Sequence, residues 1–330
     1  MAVTRPRTPS DADPGRRRWL ATAFASAWIL ASRAEGRPRA EEAGPAGVER
    51  DRIASIRARA EEAGIAGLRL EEGDRYVALG TARDDFVRGA LALCEGLADD
   101  YLDHFKDRGF EVTAPTDRMT MLALATEEEF GRILGAGRHP QVTGIYEVGE
   151  NYLVLYDGRG GGPAGPRAER ANTITLFHEA THQLTFNSGL LERFAADVPL
   201  VVSEGLGMYG EVRRPDGRTK VGALNRERLA VIAQELRLGR SLIPLLELLE
   251  DATFEREESV QLAYAQSWLF VYGVMRSDPA RDRFRTYLNA LRAGADGPGR
   301  RLDLAREHLG DLEELDDGLR AYASRLLRGR

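Results

Sequence analysis

The sequence predicts an α+β fold: a small N-terminal mixed sheet with a histidine-bearing helix, followed by a mainly helical C-terminal part. Three observations predict it. Short apolar runs bounded by Gly, Asp and Asn occur at Leu68–Leu70, Tyr76–Leu79, Arg118–Ala125 and Gly144–Asp157, which is how strands and hairpins read. Between them, Asp84–Arg108 repeats apolar residues (Phe86, Ala90, Leu93, Leu97, Tyr101, Phe105) at three- and four-residue steps, the period of a helix with one buried face. From Asn225 onward the chain is mainly helical, over Asn225–Leu238, Ile243–Glu250, Val260–Met275, Ala280–Ala293 and Leu312–Leu327.

In chain order, residues 1–34 read as an export signal. Arg16, Arg17 and Arg18 precede an uncharged run, and Ser32-Arg33-Ala34 supplies small residues for cleavage after Ala34. The Arg-Arg-x-Trp-Leu order loosely resembles a twin-arginine signal. The expectation is a periplasmic or extracellular protein with no stable membrane span after cleavage, because the run is shorter than the about 20 residues a span needs. Residues 35–47 read as a linker and Val48–Ala63 as a charged helix. Gly109 is placed to end the Asp84–Arg108 helix. His104, within it, has no partner at metal spacing and reads as a surface or capping residue. Thr126 and Glu129 form a capping box for a short helix. Gly144–Asp157 reads as a hairpin turning at 149–151, and Gly158–Glu169, rich in Gly and Pro, as a surface loop.

Composition excludes several function classes. Net charge is −6 and the pI near 5.6, so there is no nucleic-acid footprint. Cys94 is the only cysteine, which excludes an internal disulfide framework and a cysteine-based zinc cluster; within LALCEGL it reads as a buried apolar residue.

The chemistry concentrates in Ile174–Glu211. His178, Glu179 and His182 form H-E-x-x-H. Two histidines four apart on a helix share a face and can reach one cation, while Glu179 can accept a proton from a metal-bound water. Glu204 follows 22 positions after His182 in a second apolar segment. A carboxylate from there completes a His2Glu set with an open position, the feature that separates a catalytic zinc site from a structural one. Asn172 or Thr173 is placed to cap the histidine helix and Asp197 the second helix, with Pro199 in its first turn. Gly205 and Gly207 cost about 1 kcal/mol each relative to Ala in a helix, a cost explained by close helix approach that brings Glu204 to the metal.

HEATH followed by SEGLGMY resembles the gluzincin zinc metallopeptidases, the thermolysin-type branch of the peptidase MA-like superfamily. More narrowly, HEATHQLTFN with a following P-x-x-x-x-E-G resembles a bacterial subfamily of peptidase-like domains without an assigned substrate. The resemblance covers mainly Asn172–Glu211. It implies a zincin-like domain over 48–330, Zn2+ as cofactor, peptide or protein as substrate, and peptide-bond hydrolysis with Glu179 as the base. It implies an extended peptide seated on an edge strand just before the metal helix, which the order of elements assigns to Asn151, Tyr152, Leu153 and Val154 and on to Tyr156; an ordinary core hairpin is the alternative. Tyr264-Ala-Gln-Ser-Trp resembles a helix whose tyrosine faces the metal, which gives Tyr264 an oxyanion-binding role; a core tyrosine is the alternative, and Tyr209 a second candidate. The chain departs from the best-known members at Met208, where they carry a carboxylate that supports the first histidine. Glu211, Asn187 and Asp197 are the replacements the sequence offers, unranked. A zinc-binding but non-hydrolytic extracytoplasmic module and a metal-free helical protein are the rival readings. The oligomeric state is not readable.

Overall fold

A computed structural model of the chain describes residues 45–135, 142–159, 166–193, 197–214, 220–293 and 300–329. The expected export signal and residues 35–44 of the expected linker lie outside the described residues. The fold is α+β.

The elements of the first part are α1 (Pro45–Glu62), β1 (Arg69–Glu72), β2 (Tyr76–Gly80), α2 (Asp84–Lys106), β3 (Met119–Leu124), α3 (Glu127–Leu134), β4 (Gly144–Glu147), β5 (Tyr152–Tyr156) and α4 (Pro166–Asn187). The strands form one mixed sheet in the order β1-β2-β3-β5-β4. β2, β3 and β5 run parallel, and β1 and β4 pair antiparallel to their neighbours. Side chains alternate between two cores, as the pleat requires. Tyr76, Ala78, Met121, Leu153 and Leu155 face the core shared with α2 and α4. Leu79, Leu122, Leu124, Tyr152 and Val154 face the core that Ile56 and Ala60 of α1 and Phe130 and Ile133 of α3 complete. A sheet covered on both faces needs strands apolar throughout, which is why β3 and β5 read MTMLAL and YLVLY.

Local signals set several boundaries. Gly109 takes φ 79° just after α2. Thr126 accepts the Glu129 N–H at 3.1 Å, while the Glu129 carboxylate takes the N–H of Ala125 at 3.0 Å. Two expectations fail. α1 begins at Pro45, inside the expected linker, with Pro in its first turn, where the missing N–H costs nothing. α4 begins at Pro166, so Asn172 and Thr173 lie inside the helix rather than at its N-cap.

The second part comprises α5 (Leu200–Tyr209), α6 (Arg226–Arg237), α7 (Leu245–Leu249), α8 (Val260–Val274), α9 (Asp278–Arg292), α10 (Arg301–Leu309) and α11 (Leu312–Arg328), with a 3-10 turn at Ala252–Phe254. α5 is buried along its whole length, lodged between α4 and α8. Asp197 does not cap it. Pro199 occupies the cap position without a side-chain bond, and the Leu200 N–H is satisfied by Asp251 Oδ1 at 2.7 Å. Asp197 instead joins Asp251 in gripping Arg301, at 2.5 Å each. The helix start is thus held from α10, a tertiary solution invisible in the local sequence. Among the described residues no helix is long and apolar enough to cross a membrane.

Candidate metal centre

α4 carries His178 and His182 one turn apart, and α5 brings Glu204 beside them. Glu204 Oε2 lies 3.3 Å from His178 Nε2 and 3.7 Å from His182 Nε2. The two Nε2 atoms are 3.1 Å apart. Ligand atoms at about 2.0–2.1 Å from a tetrahedral zinc ion sit about 3.3 Å from one another, so the triangle is of a size to hold a divalent cation such as zinc. Among the described residues this is the one group of three His, Cys, Asp or Glu side chains that could hold a metal ion. Glu204 is fully buried. An ionised carboxylate in that setting requires compensating positive charge.

The glycines of α5 explain the approach. A Cβ on Gly207 would stand 2.9 Å from His178 Cε1 and from His182 Nε2. A Cβ on Gly205 would stand 2.5 Å from the Ser267 carbonyl oxygen of α8. One glycine admits the histidines and the other admits the helix that backs them.

Of Glu211, Asn187 and Asp197, Glu211 is the one in contact with the first histidine. Its Oε1 lies 2.9 Å from His178 Nδ1. Asn187 and Asp197 are engaged elsewhere, Asn187 with the Asn151 amide at 2.7 Å and Asp197 with Arg301. Arg228 and Asn225, from the start of α6, both donate to Glu211. Burial pushes the Glu211 pKa up, but Arg228 and His178 hold it well below the usual carboxylate range. Glu211 therefore stays an acceptor for the Nδ1–H of His178; in a neutral imidazole this leaves the Nε2 lone pair on the side of Glu204 and His182.

Glu179 is buried beside the pair. Its Oε2 accepts the backbone N–H of Tyr146 in β4 at 2.7 Å, while its Oε1 has no hydrogen-bond partner among the described residues. Burial raises its pKa, which the two histidines oppose. Burial would likewise depress His178, but Glu204 and Glu211 raise it to about 10. With neutral imidazoles, the carboxylates of Glu179, Glu204 and Glu211 against the Arg228 guanidinium leave two buried negative charges. A divalent cation bound there would supply the compensating charge.

The substrate-strand expectation is corrected. β5, which holds Tyr152, Leu153 and Val154, pairs with β3 on one side and β4 on the other, so strand addition there is impossible. Asn151, at φ 60°, belongs to a buried amide cluster: it accepts the Tyr146 hydroxyl at 2.7 Å and exchanges bonds with Asn187 at 2.7 and 2.8 Å. Gln183 donates to the Asn151 carbonyl at 3.3 Å. The hairpin is thereby fastened to α4, and the edge strand beside the metal helix is β4. The signal lay in the apolar run YLVLY, which marks a strand covered on both faces.

Tyr264 of α8 is buried, with its ring edge-on to Phe254 at 5.6 Å; burial depresses the nearby Arg228 guanidinium, and Glu211 chiefly, with Tyr264 adding less, raises it. Tyr209 is engaged away from the metal ligands, its hydroxyl 3.1 Å from His104 Nε2. His104 is accordingly half-buried rather than a surface residue, and burial lowers its pKa to about 3. Cys94 is buried as expected.

A family profile described as "Protein of unknown function (DUF1570)" matches residues 172–293. That span includes His178, Glu179, His182, Glu204, Glu211 and Arg228, and it covers less than half of the chain. No curated protein matches the sequence.

Proposed function

We propose that this protein is a zinc-dependent peptide-bond hydrolase of the gluzincin type, with the ion held by His178, His182 and Glu204. The observation that carries this reading is the convergence of those three ligand atoms beside a carboxylate whose Oε1 is buried and has no hydrogen-bond partner among the described residues. A zinc ion bound there supplies Lewis acidity, lowering the pKa of a water towards about 7 and polarising a carbonyl.

The chain's own residues do the rest. Tyr146 N–H fixes one oxygen of Glu179, so the other is presented to a water proton. Burial favours the protonated carboxyl, which makes Glu179 able to pass that proton to a leaving amine. Tyr264 enters the reading as a hydrogen-bond donor to the developing oxyanion.

A quenched fluorescent peptide library incubated with zinc-loaded protein tests the reading. Cleavage by the wild type and none by Glu179→Gln is expected. No cleavage by a wild type that carries zinc would leave a non-hydrolytic zinc-binding module.

A further inference from the structure

The start of α6 lies outside the H-E-x-x-H helix and the glutamate helix, yet it reaches the metal centre through Glu211. The Glu211 carboxylate receives four donors. Oε1 takes His178 Nδ1–H at 2.9 Å and Arg228 Nη2 at 2.6 Å. Oε2 takes Arg228 Nε at 3.1 Å and Asn225 Nδ2 at 2.8 Å. A carboxylate offers about four lone-pair sites, so none is left over. Asn225 is itself fixed, because its Oδ1 caps α6 by accepting the N–H groups of Glu227 and Arg228 at 3.2 Å each. His178, Glu211, Asn225 and Arg228 are all buried.

We infer that Arg228, seated by Asn225, is a positioning residue of the metal centre: by gripping both oxygens of Glu211 it fixes the plane of that carboxylate, and with it the ring orientation and Nδ1 proton of His178. The inference rests on the reading of His178, His182 and Glu204 as metal ligands. A fork-shaped guanidinium is required for the two-oxygen grip, and a lysine ammonium at this position supplies the same charge from a single point. Geometry and charge are therefore separable by substitution.

The test is zinc affinity, measured by competition with a chromophoric chelator, for wild type, Arg228→Lys and Asn225→Ala, with the visible spectrum of the cobalt-substituted proteins as a second readout. Outer-shell partners of metal-bound histidines are worth about 10–100-fold in affinity. Arg228→Lys is expected to bind zinc about tenfold more weakly and to show an altered cobalt spectrum, because charge alone does not orient the carboxylate. Wild-type affinity and an unchanged cobalt spectrum in Arg228→Lys would overturn the inference while leaving the metal reading intact. A wild type that binds neither metal would instead defeat the reading beneath it. Should Arg228→Lys fail to fold, the double variant Glu211→Gln/Arg228→Gln removes both charges together. Weakened metal binding in that folded double variant supports the positioning role, and wild-type binding overturns it.

Discussion

The Glu179 carboxylate accepts the Tyr146 backbone N–H at 2.7 Å, so this carboxylate is anchored by the edge strand rather than by another side chain. The bond ties the sheet to the histidine-bearing turn of α4 and leaves Oε1 as the oxygen without a hydrogen-bond partner among the described residues.

Glu179→Gln keeps this anchor, because an amide oxygen accepts the same N–H, but it cannot take a proton. Peptide hydrolysis is expected to fall at least about 10²–10⁴-fold, the range of general acid–base contributions, with zinc content unchanged. Metal analysis and turnover of the same preparation check both halves.

Gly207→Ala and Gly205→Ala separate the two close approaches of α5. The methyl of Gly207→Ala enters the histidine pair, and that of Gly205→Ala meets the α8 backbone. Overpacking of this kind costs about 1–3 kcal/mol. Both variants are expected to melt earlier, with a loss of zinc affinity in Gly207→Ala beyond what its melting shift explains. Equal zinc affinity in the two would deny Gly207 its role.

The metal-free site carries a pH signature. His178 is raised from 6.5 to about 10 by Glu204 and Glu211. A raised histidine contributes stability that is complete below about 6.5 and is lost as pH climbs through about 10. Chelator-treated protein is therefore expected to lose stability across that alkaline window. Zinc-loaded protein should escape much of the loss, since zinc replaces the proton, and zinc binding at pH 8 should release protons. Thermal melts against pH, with and without chelator, and calorimetry in buffers of differing ionisation heat read these effects.

Tyr264→Phe is expected to slow turnover by about 10²-fold, the scale of one oxyanion donor, with zinc retained. An unaltered rate would return Tyr264 to the core.

The sequence carried the parts of this molecule that depend on local periodicity and on a fixed spacing along one helix. The apolar repeat of α2, the capping residue Thr126, and the pairing of His178 with His182 on one face all follow from residues a few positions apart. What it did not carry depends on partners distant in the chain. Glu211, Asn187 and Asp197 were equivalent as isolated side chains; Arg228, Asn151 and Arg301 distinguish them only once the helices are assembled. The interior place of β5 follows from β3 inserting beside it, a tertiary event hinted at only by the unbroken apolar run Tyr152–Tyr156.

The most direct measurement is the metal content of purified protein reconstituted with zinc and freed of excess, for wild type and His182→Ala. One equivalent in the wild type, and its loss in a folded His182→Ala, is the expected result. A wild type without zinc, or a His182→Ala variant that retains the full equivalent, would contradict the assignment of His178, His182 and Glu204 as a metal site.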